Sequence, residues 1–252
     1  MSGAAGASGG AGRAADGGSG SEPERARLAA VFLDGDYDDP AYFRGWAEAA
    51  DVVVAADGGA RFLLEQGVRP DVVVGDFDSL PAADVERLEA AGVELVRHPV
   101  RKDRTDGEMA ADEALRRGAG ELVLAGALGA LDHTLGHLAI LRRLAARGVA
   151  ARLAAPRLTV RVLVAPDTAR LDATAGTRVS IVPLHGDALV SLEGFDYPLT
   201  RGGLPRDACL GLGNAVVAAA RILVHEGSVA VLVEDGDEAF GGVRREARVA
   251  AP

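Results

Sequence analysis

Apolar residues along this chain fall into two regimes. Up to about residue 150 they come as short runs, at 28–33, 52–55, 72–74, 93–96 and 122–124, interrupted only by Glu94. Runs of that length without polar alternation predict strands buried on both faces. Helical signals lie between them. Asp39-Pro40 supplies an N-cap and a first-turn proline ahead of Tyr42, Phe43, Trp46 and Ala49. Helices are expected at 60–66, stopped by Gly67, and at 84–91, stopped by Gly92. Thr105 and Glu108 have capping-box spacing, which predicts a helix over 106–117. Leu135, Leu138, Leu141 and Leu144 form one more helical stripe that stops at Gly148.

After Pro156 the pattern changes to short runs of Val, Leu and Ile separated by turn residues, at 158–164, 169–171, 178–182, 189–192 and 228–233. The alanine-rich stretch 215–225 reads as the one helix of this half. Alternating strand and helix followed by strands alone predicts an α/β unit and then an all-β unit. The expected class is therefore α/β: a mainly parallel sheet with flanking helices over residues 26–152, then a sandwich-like all-β domain over 157–240. Residues 1–25 are mostly Gly, Ala and Ser and are expected to be a disordered tail, because they cannot bury enough apolar surface to offset ordering. Residues 241–252 are expected to be a second tail.

Composition narrows the function classes. Of the 252 residues 48% are hydrophobic but only 4% aromatic, so the core must be built from Ala, Val and Leu. The formal net charge of −10 argues against nucleic acid as a partner, since phosphate backbones call for clustered Lys and Arg. Nucleotides stay open, because Mg²⁺ can mediate between carboxylates and phosphates. One cysteine, Cys209, rules out a disulfide within the chain and fits a reducing, cytoplasmic setting. No apolar run approaches the roughly 18 residues of a membrane helix.

The candidate chemistry sits just after the strands. Asp34-Gly35, Asp57-Gly58-Gly59, Gly75-Asp76-Phe77-Asp78-Ser79, the segment 98–106 and the segment 126–133 each follow one of the five runs. Ligands of open α/β sheets bind at the carboxyl ends of the strands, so these segments are expected to converge. Asp76 and Asp78, two apart on an extended segment, would point the same way and repel unless a cation lies between them. Asp103 and Asp106 flank a helix start beside Lys102 and Arg104. Capping explains one of those acids but not both, and mixed charge suits a metal held together with phosphate. Asp57-Gly58-Gly59 leads into a helix N-terminus, a weak anion signal by itself. His133 and His137 share a helix face, without the Glu of a zinc-protease motif.

Taken as a set, Asp57-Gly58-Gly59, Gly75 to Ser79, Lys102-Asp103-Arg104-Thr105-Asp106 and Asp132-His133-Thr134-Leu135 resemble the thiamine pyrophosphokinase family. Ser180 to Leu184 and Gly213-Asn214 are similar to its β-domain, more loosely. The resemblance implies a two-domain homodimer that uses Mg²⁺, takes ATP and thiamine, and releases AMP and thiamine diphosphate. It implies Asp57, Asp76, Asp78 and Asp106 as metal ligands, with Asp76, Asp78 and Asp106 catalytic. It implies Asp57, Gly58, Gly59, Lys102, Asp103, Asp132, His133 and Asn214 as nucleotide- or substrate-binding. Three departures stand out. The family's Gly-Gly-Arg-x-Asp-His is one residue shorter here, Gly129-Ala130-Leu131-Asp132-His133, and lacks the Arg; the Asn of the next helix is His137; and a Ser is replaced by Gly213. Other readings are a diphosphokinase for a pterin or thiamine analogue, a non-catalytic nucleotide or thiamine binder, and a dehalogenase-type phosphatase with Asp76 as nucleophile.

Overall fold

The computed structural model describes residues 25–99 and 103–234. The two expected tails, apart from Arg25, lie outside the described residues, as does Lys102.

Five parallel-strand and helix units come first. They are β1 (Leu28–Phe32), α1 (Pro40–Ala49), β2 (Val52–Ala56), α2 (Gly59–Glu65), β3 (Val72–Gly75), α3 (Ala82–Ala90), β4 (Glu94–Arg97), α4 (Asp106–Arg116), β5 (Glu121–Ala125) and α5 (Leu131–Ala146). Their spatial order is β4-β3-β2-β1-β5, continued by β6 (Ala150–Ala155), and every pair among these six is parallel. The order reverses between β1 and β5. Loops leaving those two strands therefore diverge to opposite faces and open a crevice at the carboxyl edge.

Alternate residues of the strands supply two separate cores. Ala29, Val31, Val54, Val74 and Leu124 pack with α4 and α5 residues such as Ala110, Ala114 and Leu141. Ala30, Phe32, Val53, Val73 and Val123 pack with Phe43, Trp46, Leu63 and Leu88 of α1, α2 and α3. Burial on both sides is why these strands carry unbroken apolar runs. Local signals act as expected at two helix starts. Asp39 accepts from the Tyr42 N–H at 3.1 Å. Thr105 and Glu108 form the reciprocal capping box, at 3.1 and 3.2 Å.

The chain then turns antiparallel. Strand β6 pairs with β7 (Leu158–Val164), so the ladder runs on without a break across residues 150–157. Strands β8 (Asp167–Leu171), β9 (Arg178–Pro183), β10 (Ala188–Phe195), β11 (Leu199–Leu204), β12 (Asn214–Glu226) and β13 (Ser228–Glu234) complete the set. Strand β13 lies between β7 and β9, while β12 lies between β8 and β10. A third core joins the two ladders through Leu163, Ile181 and Val231 on one side and Val190, Leu192 and Ile222 on the other.

One expectation fails here. Residues 215–225 are not a helix but most of β12, the longest strand at 13 residues. From Ala220 to Val224 buried and less buried residues alternate with a period of two, and each pairs with β8. Three consecutive alanines at 218–220 mimic a helix, but the β-branched residues on either side fit the pleated, half-buried surface. The sequence reading also passed over β6 and β11.

Candidate active site

Five strand ends supply one cleft of about 540 Å³. Its described lining includes Asp34 after β1, Asp57 after β2, Asp76 and Asp78 after β3, the segment Arg104 to Gly107 before α4, and Asp132, His133 and His137 on α5. The convergence expected from position alone is thus realised at the carboxyl edge.

Asp57 anchors the floor. It is 7% exposed, its N–H donates to the Val74 carbonyl at 2.9 Å, and its φ is +40°. Left-handed backbone is uncommon for any residue with a Cβ and marks a position held by its surroundings. Asp57 Oδ1 is buried and has no hydrogen-bond partner among the described residues. Burial pushes the carboxyl up from its ordinary value; a Ser79 hydrogen bond opposes this, and the carboxylates of Asp106, Asp76 and Asp78 reinforce it.

Asp76 and Asp78 do come together, but not through an extended segment. Between them Phe77 adopts φ +64° and turns inward to 7% exposure, with the Arg97 guanidinium 4.6 Å from its ring centroid. That inverted residue sets the two carboxylates on the same side. The Asp78 N–H donates to Asp76 Oδ1 at 3.3 Å, and Ser79 Oγ donates to Asp78 Oδ1 at 3.2 Å. One carboxylate oxygen from each of Asp57, Asp76 and Asp78 lies within 4.8 Å of the others. Asp106 joins them at Gly75: a Cβ there would stand 3.3 Å from Asp57 Oδ1 and 3.4 Å from Asp106 Oδ1. Gly75 therefore leaves room for these carboxylates rather than for a ligand.

This donor set fits Mg²⁺. All the donors are hard carboxylate oxygens, one of them is buried without a partner among the described residues, and Asp78 is exposed on the open side. Mg²⁺ favours oxygen ligands and keeps positions for water and phosphate.

The remaining expected residues divide. Asp132 and His133 line the cleft in the first turn of α5, where Asp132 Oδ1 accepts the His133 N–H at 2.9 Å. Gly58, Gly59 and Asp103 are not in the described lining. The two glycines let α2 approach β1: a Cβ on Gly58 would meet the Asp34 carboxylate at 2.2 Å, and one on Gly59 the Phe32 carbonyl at 2.3 Å. Asn214 lies in the β half, 5% exposed. Its Oδ1 accepts the N–H groups of Tyr197 and Ala215, and its Nδ2 donates to the Tyr197 carbonyl. Its amide fastens the turn after β10.

Known proteins are similar to this chain in sequence and fold. Residues 43–153 match the family model described as thiamin pyrophosphokinase, catalytic domain. Over those residues the chain is similar to the thiamin pyrophosphokinase family. A thiamine pyrophosphokinase of Bacillus subtilis is 26% identical over 176 residues, covering 69% of this chain and 82% of that protein. The solved thiamin pyrophosphokinase of Geobacillus thermodenitrificans superposes with a TM-score of 0.71 at 29% identity, over 82% of this chain and 97% of that one. The yeast thiamin pyrophosphokinase, at 14% identity, shares the fold with a TM-score of 0.69 over 84% of this chain and 87% of its own.

Against the thiamin pyrophosphokinase pattern, the departures have structural addresses. Leu131, ahead of Asp132, is 73% exposed, so the rim offers an apolar side chain at that point. His137 Nδ1 lies 2.7 Å from the Ala127 carbonyl, which can only accept, so Nδ1 carries the proton. Gly213 has φ +70° and donates its N–H to Ser180 Oγ at 3.0 Å. Asp34, Arg104 and His137 also line the cleft; the sequence placed Asp34 and Arg104 in converging segments and His137 beside His133, but none of the three was singled out as a site residue. Their position after a strand or on the first turns of a helix was the available signal.

Proposed function

We propose that this chain transfers the diphosphoryl group of ATP to the hydroxyl of thiamine, giving thiamine diphosphate and AMP. The observation that carries the reading is the carboxylate cluster of Asp57, Asp76 and Asp78, with Asp106 beside it, in a cleft at the strand ends of a domain similar to the thiamin pyrophosphokinase catalytic domain. A pure binder has little use for like charges held this close.

Asp57, Asp76, Asp78 and Asp106 would hold Mg²⁺, which when bound neutralises phosphate charge and orients the phosphates. The thiamine hydroxyl oxygen forms a bond to the β-phosphorus, the bond from that phosphorus to the bridging oxygen of the α-phosphate breaks, and AMP departs with the electron pair. The hydroxyl proton passes to a rim carboxylate, Asp78 or Asp106. Such a transfer depends on positioning and charge stabilisation more than on covalent help. Asp132 and His133 line the same cleft, where they can orient the nucleotide or the acceptor.

A second reading keeps the chemistry and changes the alcohol. It is favoured by Gly213, which offers no side chain, and by Asn214, whose amide is already engaged by Tyr197. We also infer a homodimer in the cytoplasm. Exposed Leu131 and Leu135 on α5, and Leu210, Leu212 and Val217 in the β half, give apolar surface for a partner copy; the free Cys209 suits a reducing compartment. Light scattering that returns the mass of one chain would remove the dimer.

The deciding assay incubates the protein with Mg²⁺–ATP and candidate alcohols and measures AMP and diphosphorylated product. Release of AMP with thiamine supports the reading. AMP with a pterin but not with thiamine moves the acceptor, and no AMP with any alcohol overturns the enzyme.

A further inference from the structure

The described lining of the cleft contains six carboxylates, of Asp34, Asp57, Asp76, Asp78, Asp106 and Asp132, and one permanently charged cation, Arg104. Arg104 stands two residues ahead of Asp106, on the α4 side. Its guanidinium is not loose. Nη2 contacts the Asp112 carboxylate one helical stretch further along α4 and donates to the Glu108 carbonyl at 3.3 Å. Asp112 is shared. Arg143 Nη1 on α5 reaches its Oδ1 at 3.1 Å, and Arg147 Nη1 reaches the same oxygen at 3.6 Å. Arg143 Nη2 also donates to the Glu108 carbonyl, at 3.3 Å. The Glu108 carboxylate is turned to the Thr105 N–H. Three guanidinium groups thus meet one carboxylate, that of Asp112, in a protein whose formal net charge is −10. Burial raises the Asp112 carboxyl, but hydrogen bonds from Arg104 and Arg143 more than offset this and hold it below its ordinary value, so it stays ionised.

An arginine fixed at its far side by a shared carboxylate is pre-organised. Its planar fork matches a phosphate group and keeps its charge at any working pH. A polyphosphate entering this cleft meets carboxylates on the β2–β3 side and needs a fixed cation on the other. We propose that Arg104 is the positioning cation for a nucleotide phosphate on the α4–α5 side of the cleft, and that Asp112, backed by Arg143 and Arg147, sets its guanidinium in place. This rests on the Mg²⁺–ATP reading above and adds to it a residue and its support.

The test compares wild type with Arg104→Gln, Arg104→Lys and Asp112→Asn. Calorimetry measures the binding of Mg²⁺ with α,β-methylene-ATP, which needs no acceptor and cannot react at the scissile bond. Loss of a charge-assisted phosphate contact should weaken nucleotide binding by roughly 10- to 100-fold in Arg104→Gln. The same variant should raise the KM for ATP by a similar factor and leave the KM for the acceptor unchanged. Arg104→Lys should recover part of the loss, and Asp112→Asn should show a smaller loss of the same kind. Thermal melting of each variant separates this from a general loosening of α4 against α5, which would lower the melting point without selecting the nucleotide. Wild-type binding by Arg104→Gln overturns the inference while leaving the function in place. Failure of the wild type itself to bind the nucleotide overturns the function reading, and this inference with it.

Discussion

A Cβ on residue 75 would stand 3.0 Å from the Asp57 Cβ, tighter than side chains ordinarily approach, so Gly75 and Asp57 occupy their places by mutual consent. Gly75→Ala must push the Asp57 side chain by a few tenths of an ångström within the carboxylate cluster. Misplacement on that scale within a reacting site is costly. The expected result is a loss of turnover of roughly tenfold or more and a higher Mg²⁺ concentration for half-maximal rate, with stability within about 1 kcal/mol of wild type. A magnesium titration of initial rate alongside a denaturant melt checks both halves.

Asp76→Asn should abolish turnover, by on the order of 10²-fold or more, because it removes one charge from the cluster expected to hold the metal. The fold should survive. Asp76 is half-buried among like charges, so neutralising it relieves repulsion with Asp57 and Asp78. A chelator should bring the wild type to the same low rate. Near-normal activity in the variant would place the metal elsewhere.

Sequence pattern reached the catalytic half further than the β half, for physical reasons. Runs such as Val72-Val73-Val74 have one structural solution, a strand covered on both faces, and the carboxyl ends of such strands fix where their loops meet. The cluster was legible from that placement without any contact being known. Its internal geometry was not. Nothing local announces that Phe77 would invert to φ +64°, a state that its burial under Arg97 sustains. Strand β6, Ala-Ala-Arg-Leu-Ala-Ala, and strand β11, with its Gly202-Gly203 pair, have weak intrinsic strand preference and exist because neighbours on the ladder pair with them. Tertiary pairing likewise overrode the helical look of the alanines in β12. The Arg104–Asp112–Arg143 network joins α4 to α5, a contact that no spacing within one element reveals.

His137 gives a pH signature. Burial lowers its pKa, with His133 adding to the effect and the hydrogen bond to the Ala127 carbonyl opposing it. In the unfolded chain the same imidazole titrates near its ordinary value of about 6.5. As pH falls through that value the unfolded chain takes up the proton first, so it binds more protons than the folded chain and stability declines with acidification. Above about pH 7 the residue contributes no slope. His137→Asn, which removes the titrating group, should flatten the decline between about pH 5 and 6.5 in urea melts. An unchanged slope would assign the acid sensitivity to other groups.

Asn214 offers a sharper division between holding the fold and holding a substrate. Its buried amide satisfies the Tyr197 N–H, the Ala215 N–H and the Tyr197 carbonyl. Asn214→Ala leaves those three groups short of partners in a site that is 5% exposed. At about 1 kcal/mol for each net hydrogen bond, the loss should be roughly 2–3 kcal/mol, read as a lower urea midpoint with an unchanged m-value. The KM for ATP should stay at the wild-type level, because the residue lies apart from the described lining of the cleft. The KM for thiamine decides the rest. If it rises only as far as the turn at Tyr197 loosens, Asn214→Asp, which keeps both acceptor bonds and loses the donor, should sit between wild type and Asn214→Ala in stability and acceptor KM alike. A large rise in acceptor KM with no change in the urea midpoint would instead make Asn214 a direct contact to the substrate.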